Sequence, residues 1–179
     1  MRRILNVGCG KDTYGTDFVD IYPSRENVVK SDLESGLPFP DNAFDEVYSR
    51  CLFEHLKNPF LVLSEMTRVA QEGGTVHLIT DHGAYWANAL NNTAHTGGYE
   101  TEEHPDDRHY SFFTKHHLMN HFKAAGLEVV EVKLVEYRSP TRLKRFICIV
   151  VQSILKMTPF RNMAYGRIEI KGIKKKAGV

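Results

Sequence analysis

Apolar positions along this chain come in short bursts separated by polar or Gly- and Pro-bearing segments, and the period of each burst predicts its element. Continuous or alternating runs at Arg3-Ile4-Leu5, Asp17 to Ile21, Asn27 to Lys30, Phe44 to Ser49, Thr75 to Thr80, Leu127 to Tyr137 and Arg167 to Ile173 read as strands. Between them, Leu61, Leu63, Met66 and Val69 recur at helical spacing. Asn58 stands before them as cap, Pro59 at the first helical position, and Gly73-Gly74 as the stop. Thr114 opens a second helix, with Leu118, Phe122 and Ala125 on one face and Gly126 at its end. Residues 141 to 157 make a third, apolar with basic flanks and shorter than the roughly 20 residues that span a bilayer, so it is a core or an interfacial helix.

Strands alternating with helices predict a mostly parallel sheet covered on both faces. Two long connections interrupt the pattern. Residues 34 to 42, with Pro38 and Pro40, cannot be helix or central strand. Residues 84 to 111 lack sustained periodicity and predict a short helix near Trp86 followed by a long loop rich in acids, with Tyr99, His95, His104 and His109 within it, either a solvated acidic loop or a lid-like insertion that closes on a substrate.

Composition adds bounds. The 179 residues, 42% hydrophobic and 25% charged, suit one domain over 1–179 with a single core. Three cysteines without a CxxC pair exclude a disulfide scaffold and imply a reducing, cytoplasmic compartment; no secretory leader precedes the first strand. Net charge is +1, but residues 1–137 hold 12 Lys and Arg against 21 Asp and Glu, while 138–179 hold 11 against one. That basic C-terminal helix and final strand either complement the acidic body or contact an anionic surface, which would make the protein peripheral to membranes. No specific nucleic-acid site is expected, and oligomeric state is left open.

Candidate chemistry starts at Asn6-Val7-Gly8-Cys9-Gly10, directly after the first strand. A Gly-x-Gly turn there leaves backbone amides bare, with no Cβ to block a nucleotide-like ligand. Asp20, with Ile21 beside it, ends the second strand and can accept from a ribose diol. Asp32 follows the third strand, and Leu33 can pack on a purine face. All three strand ends converge where open α/β sheets place ligands.

Taken in order, Leu5 to Gly10, Asp20, Asp32-Leu33, Leu37 to Asp45, Glu54-His55-Leu56 and Glu65 to Val69 with Gly73-Gly74 resemble the class I S-adenosylmethionine-dependent methyltransferases, small single-domain type, over residues 3 to 137. The resemblance implies a Rossmann-like doubly wound sheet of seven strands, the last antiparallel, with helices on both faces. It also implies a cofactor set of Gly8, Cys9, Gly10, Asp20, Ile21, Asp32, Leu33, Ser49 and Arg50. Gly8 and Gly10 would meet the methionine portion, Asp20 the ribose, Asp32 and Leu33 the adenine, and Ser49, Arg50 and Cys51 would lie beside the sulfonium. One departure stands out: Asp20 is ten positions after Gly10, against about 20 in a dinucleotide fingerprint. Lys11 to Thr16 hold at most one helical turn, so the first covering helix is truncated. This argues against NAD, whose pyrophosphate needs a helix N-terminus.

The activity so implied is methyl transfer to a small-molecule, glycan or lipid-precursor acceptor. Alternatives are an NAD-type oxidoreductase and a methyltransferase-like binding module without turnover. Methyl transfer needs alignment above all, and a base only for a hydroxyl acceptor. His82 and His55 are the candidate bases by position. His117 and His121 have the i, i+4 spacing of a zinc pair but lack the intervening Glu of His-Glu-x-x-His, so no metal is expected. Cys9 and Cys51 suit small apolar positions in tight turns, and Tyr85 and Trp86 either line an acceptor pocket or cover the sheet.

Overall fold

The computed structural model describes residues 1–90, 108–137 and 142–176. Seven strands, β1 (Ile4–Val7), β2 (Asp17–Asp20), β3 (Val28–Lys30), β4 (Phe44–Arg50), β5 (Ala70–Asp81), β6 (Leu127–Val135) and β7 (Arg167–Lys174), form one sheet. Its order is β3-β2-β1-β4-β5-β7-β6, parallel from β3 to β5, with β7 antiparallel to both its neighbours. Among the described residues four helices accompany it: α1 (Pro59–Val69), α2 (Trp86–Leu90), α3 (Lys115–Ala124) and α4 (Arg142–Lys156). The fold class and the antiparallel last strand are as the sequence implies. Of the predicted lid, residues 91–107 lie outside the described residues, and with them Tyr99, His95, His104 and the acids Glu100 to Asp107.

Side-chain alternation gives the sheet two unlike faces. Leu5 and Val7 of β1, Val47 of β4, Val76 and Leu78 of β5, and Ile168 and Ile170 of β7 are fully buried on one of them. Over these pack Val62, Leu63 and Met66 of α1 and Leu118 and Phe122 of α3, making one continuous core. The opposite face carries Asn6, Glu46, Tyr48, His77, Glu169 and Lys171. Here Glu46 accepts from the Arg2 guanidinium at 2.7 Å and the Tyr14 hydroxyl at 3.0 Å. The His77 ring lies between Glu46 (3.4 Å) and Glu169 (2.9 Å), and Tyr14, Tyr48 and His77 stack in series. Bonds from His77 and Tyr14 hold the Glu46 carboxyl below its usual pKa. No helix forms between β1 and β2 or between β2 and β3, so polar groups that pair with one another replace an apolar layer.

Helix α1 ends earlier than the Gly73-Gly74 pair predicts. Its last carbonyls are claimed from outside: Asn42 N–H donates to Arg68 O, Ala43 N–H to Val69 O, and the Lys174 ammonium to Arg68 O and Ala70 O. With those acceptors satisfied, Ala70 turns extended and pairs with Phe44, and the glycines fall inside a register shift of β5. Asn58 makes no side-chain cap; its N–H donates to Glu34 instead.

Arg68 fixes the Pro-rich loop to this helix. Its guanidinium donates to the carbonyls of Leu37 (3.0 Å) and Phe39 (2.9 Å) and to Asp41 (2.6 Å), while Glu65 accepts from Leu37 N–H (2.8 Å). Arg68→Met keeps the stem but orphans two carbonyls, so it should lower unfolding free energy by about 2 kcal/mol in urea titration. A change below about 0.5 kcal/mol would mean that the loop holds its shape without the clamp.

Candidate functional site

At the carboxyl ends of β1, β2 and β4 the chain opens into a crevice of about 540 Å³. Gly8 and Gly10 both have positive φ (67° and 48°), which turns the backbone sharply out of β1. A Cβ on Gly8 would stand 2.7 Å from Leu52 Cδ1, whereas one on Gly10 would meet no atom within 4 Å and would project into open space. The turn is held by the second strand: Gly8 N–H and Cys9 N–H donate to Val19 O, and Gly10 N–H donates to Asp20 Oδ2 at 2.7 Å. Asp20 Oδ1 accepts from Tyr22 N–H at 2.8 Å, so both oxygens of this buried carboxylate grip backbone while the residue still lines the crevice. Asp12 N–H to Cys9 O closes a tight turn, and no helical turn forms over Lys11 to Thr16, so the first covering helix expected to be truncated is absent altogether.

The neighbouring wall comes from Asp32 and Leu33. Asp32 caps a short 3₁₀ turn, Leu33–Ser35, by accepting from Glu34 N–H and the Ser35 hydroxyl, and Leu33 is buried behind it. Cys51 follows β4 with φ 51°, its N–H held by Ile79 O, and this bend carries Cys51, Leu52, His55, Leu56 and Lys57 to the rim. Burial raises the Cys51 thiol pKa, so it is a poor thiolate source. Tyr110 completes the lining; its N–H donates to Glu54 O at 2.7 Å, and Lys57 lies over its ring.

Not every expected residue faces the crevice. Gly8, Gly10, Asp20, Ile21, Asp32, Leu33 and His55 line it. Cys9 packs instead with Phe18 and Val28. The buried Ser49 hydroxyl donates to Val7 O at 2.9 Å and ties β4 to β1, and Arg50 is solvent-exposed. His82 is buried, with ring Nδ1 against Tyr165 O at 2.9 Å and its backbone N–H on Gly166 O; burial lowers its pKa, which favours the uncharged ring. His55 packs edge-on against His109. His121 packs between Phe60 and Phe113, and His117 is exposed. Tyr85 reaches Cys148 of α4, and Trp86 Nε1 is buried without a partner.

Tyr22, Glu34, Leu52, Leu56, Lys57 and Tyr110 were not foreseen. Adjacency to Ile21, Leu33 and the Glu54-His55 motif could have pointed to the first five; Tyr110 arrives from a segment with no periodic signal. With them the lining holds Asp20, Asp32 and Glu34 against Lys57, an acidic surface that favours a cation over a pyrophosphate.

Behind the crevice, Glu54 is 2% exposed and accepts from the Thr80 hydroxyl at 2.7 Å. Burial, then the nearby Asp81, pushes its pKa up to about 7. Cys51, Glu54 and Asp81 bring ligand-type atoms within 4.8 Å of one another, the one such group among the described residues.

A methyltransferase-domain family model matches residues 2–132. The chain belongs to that family, and its fold is that of the class I S-adenosylmethionine-dependent methyltransferases. An uncharacterized methyltransferase of Schizosaccharomyces pombe is 31% identical over a stretch covering 41% of this chain, which spans 38% of that relative's length. Among solved structures, a SAM-dependent methyltransferase of Archaeoglobus fulgidus superposes with TM-score 0.66 at 18% identity, covering 97% of this chain and 86% of that one. One of Thermotoga maritima gives 0.65 at 18%, covering 98% and 83%. A cyclase, SpnF, gives 0.61 at 16%, covering 97% and 74%.

Two predictions follow from this geometry. Gly10→Ala should cost only about 1–2 kcal/mol, the left-handed penalty, while Gly8→Ala adds the clash with Leu52 and should cost roughly 3 kcal/mol or more in urea titration. Equal costs would mean that Leu52 yields freely. For Glu54, whose folded pKa is raised, the stability that its neutral form contributes is complete below the ordinary value of 4.5 and is lost as pH rises through about 7. Glu54→Gln should therefore gain on the wild type by up to about 3 kcal/mol between pH 5 and pH 8. Parallel stability–pH curves would show that Glu54 ionises without penalty.

Proposed function

We propose that this protein transfers a methyl group from S-adenosylmethionine to a small-molecule, glycan or lipid-precursor acceptor. The observation that carries the reading is the open Cβ position of Gly10 beside the Asp20 carboxylate, a cradle that any side chain at residue 10 would begin to fill. Gly8 and Gly10 would admit the methionine portion, Asp20 would use its remaining lone pairs on the ribose hydroxyls, and Ile21, Asp32 and Leu33 would hold the adenine. Ser49 acts behind these by locking the ends of β1 and β4 together.

Bound S-adenosylmethionine supplies a methyl group already activated by its sulfonium. What remains for the protein is alignment and exclusion of water, which can supply roughly 7 to 11 kcal/mol of a barrier. The acidic lining suits the sulfonium charge, and Cys51, Leu52 and Leu56 close the crevice around it with apolar surface. Of the two histidines, His55 stands at the rim and takes the proton of a hydroxyl acceptor. His82 is a positioning residue whose ring ties the end of β5 to Tyr165. Acceptor choice would rest on residues 84–111, of which 91–107 lie outside the described residues, within a single domain.

Thermal-shift measurement with S-adenosylmethionine, S-adenosylhomocysteine and NAD tests this. The first two should stabilise the fold, by about 2.7 kcal/mol at a hundredfold excess over Kd, and NAD should not. Stabilisation by NAD alone would overturn the reading. Asp20→Ala should lower Tm without ligand, because Gly10 and Tyr22 N–H lose their acceptor, and should also abolish the ligand-induced shift. Ligand binding without turnover on any acceptor would favour a binding module.

A further inference from the structure

Helix α4 leaves most of its apolar surface exposed. Leu143, Phe146, Ile147, Val150 and Ile154, with Met157 one residue past the helix end, fall on one stripe at a period of about 3.6 residues, and they are 72, 66, 46, 40, 58 and 90% exposed. Phe160, just beyond, is 63% exposed. Only a narrow strip meets the body: Cys148, Val151 and Leu155 are half-buried, Gln152, 3% exposed, donates to Tyr137 O at 3.1 Å, Lys156 pairs with Glu136, and Tyr85 reaches Cys148. A helix that served only to cover its own protein would turn its wider apolar stripe inward.

Charge says what meets that stripe. No acid occurs between Glu136 and Glu169, whereas Arg142, Lys144, Arg145, Lys156 and Arg161 lie on or beside the helix, Arg142 and Lys144 at the margins of the apolar stripe. Two such helices meeting across a two-fold would set base against base, which disfavours a symmetric dimer. Aliphatic and phenyl side chains flanked by Lys and Arg instead match an anionic lipid surface, where the stripe sinks to the acyl boundary and the cations stay among the phosphates. Among the described residues no helix is long and apolar enough to cross a membrane, so the helix would lie in the interface plane.

Topology fixes what this does to the crevice. Val135, at the end of β6, pairs with Arg167, which also faces Asp81 at the carboxyl end of β5. Residues 136–166 therefore leave and rejoin the sheet at the carboxyl edge, the same edge that carries the Gly8 to Gly10 turn.

We propose that α4 docks this protein on anionic phospholipid bilayers with the carboxyl edge of its sheet turned toward the surface, so that a membrane-borne acceptor reaches the crevice from the lipid. The docking does not depend on the methyl-transfer reading and is tested without cofactor. Full-length protein is sedimented with phosphatidylcholine vesicles and with phosphatidylcholine–phosphatidylglycerol vesicles, and oligomeric state is followed by light scattering. Wild type should bind the anionic vesicles, less so at high salt, and the neutral ones far more weakly. Phe146→Ser with Ile154→Ser, and separately Arg142→Glu with Lys144→Glu, should each weaken partitioning roughly tenfold or more while leaving Tm unchanged, since all four side chains are exposed. Failure of wild type to sediment with anionic vesicles would overturn the proposal, as would undiminished binding by both double variants. A dimer that the Phe146/Ile154 variant dissociates, without vesicle binding, would assign the stripe to a second copy.

Discussion

Everything at the carboxyl edge depends on one carboxylate. A Gly-x-Gly turn normally leans on the helix that follows it, whose first turn fixes the backbone and whose N-terminus attracts a ligand. Here Asp20 does that work from the adjacent strand, accepting from Gly10 N–H on one oxygen and Tyr22 N–H on the other. The substitution changes the sign of the site, since a helix terminus offers partial positive charge and Asp20 offers negative. The same residue that shapes the crevice thus narrows what can enter it, away from phosphates and toward cations.

The missing helices also account for the asymmetry of the sheet. A face without helices over β1 to β3 must pair its polar groups or leave them to water, and Glu46, His77, Glu169 and Lys171 do the former in a chain of ion-pair contacts. Side-chain identity on β4 alternates accordingly: Val47 and Ser49 turn to the packed side, Glu46 and Tyr48 to the other. The core is therefore one-sided, and α1 and α3 bear most of it.

How much of this was legible in the sequence varies with the range of the interaction that decides it. Strands and the helices over Pro59 and Thr114 follow from local periodicity, and the order of the motifs identified the fold. The end of α1 was missed because its carbonyls are capped by Asn42, Ala43 and Lys174, and no local rule anticipates a partner a hundred residues away. Among site residues, Gly10, Asp20 and Leu33 sit in turns fixed by their neighbours and were readable. Tyr110 was not, since it joins the crevice through Glu54 and Lys57, far away along the chain. For α4 the apolar period was visible but its direction was not, because Gln152 and Lys156 turn inward to groups on another segment.

The placement of β7 has a consequence for how the chain is made. β5 and β6 both precede it, yet they do not touch each other; β7 lies between them and pairs with both. Until residues 167–174 emerge from the ribosome, that half of the sheet presents two open strand edges to the cell, each a template for wrong pairing. The N-terminal half has no such delay, since β1 to β4 pair within the first fifty residues. The crevice can thus take shape early in synthesis, while the half that carries α4 is completed only by the last strand to arrive.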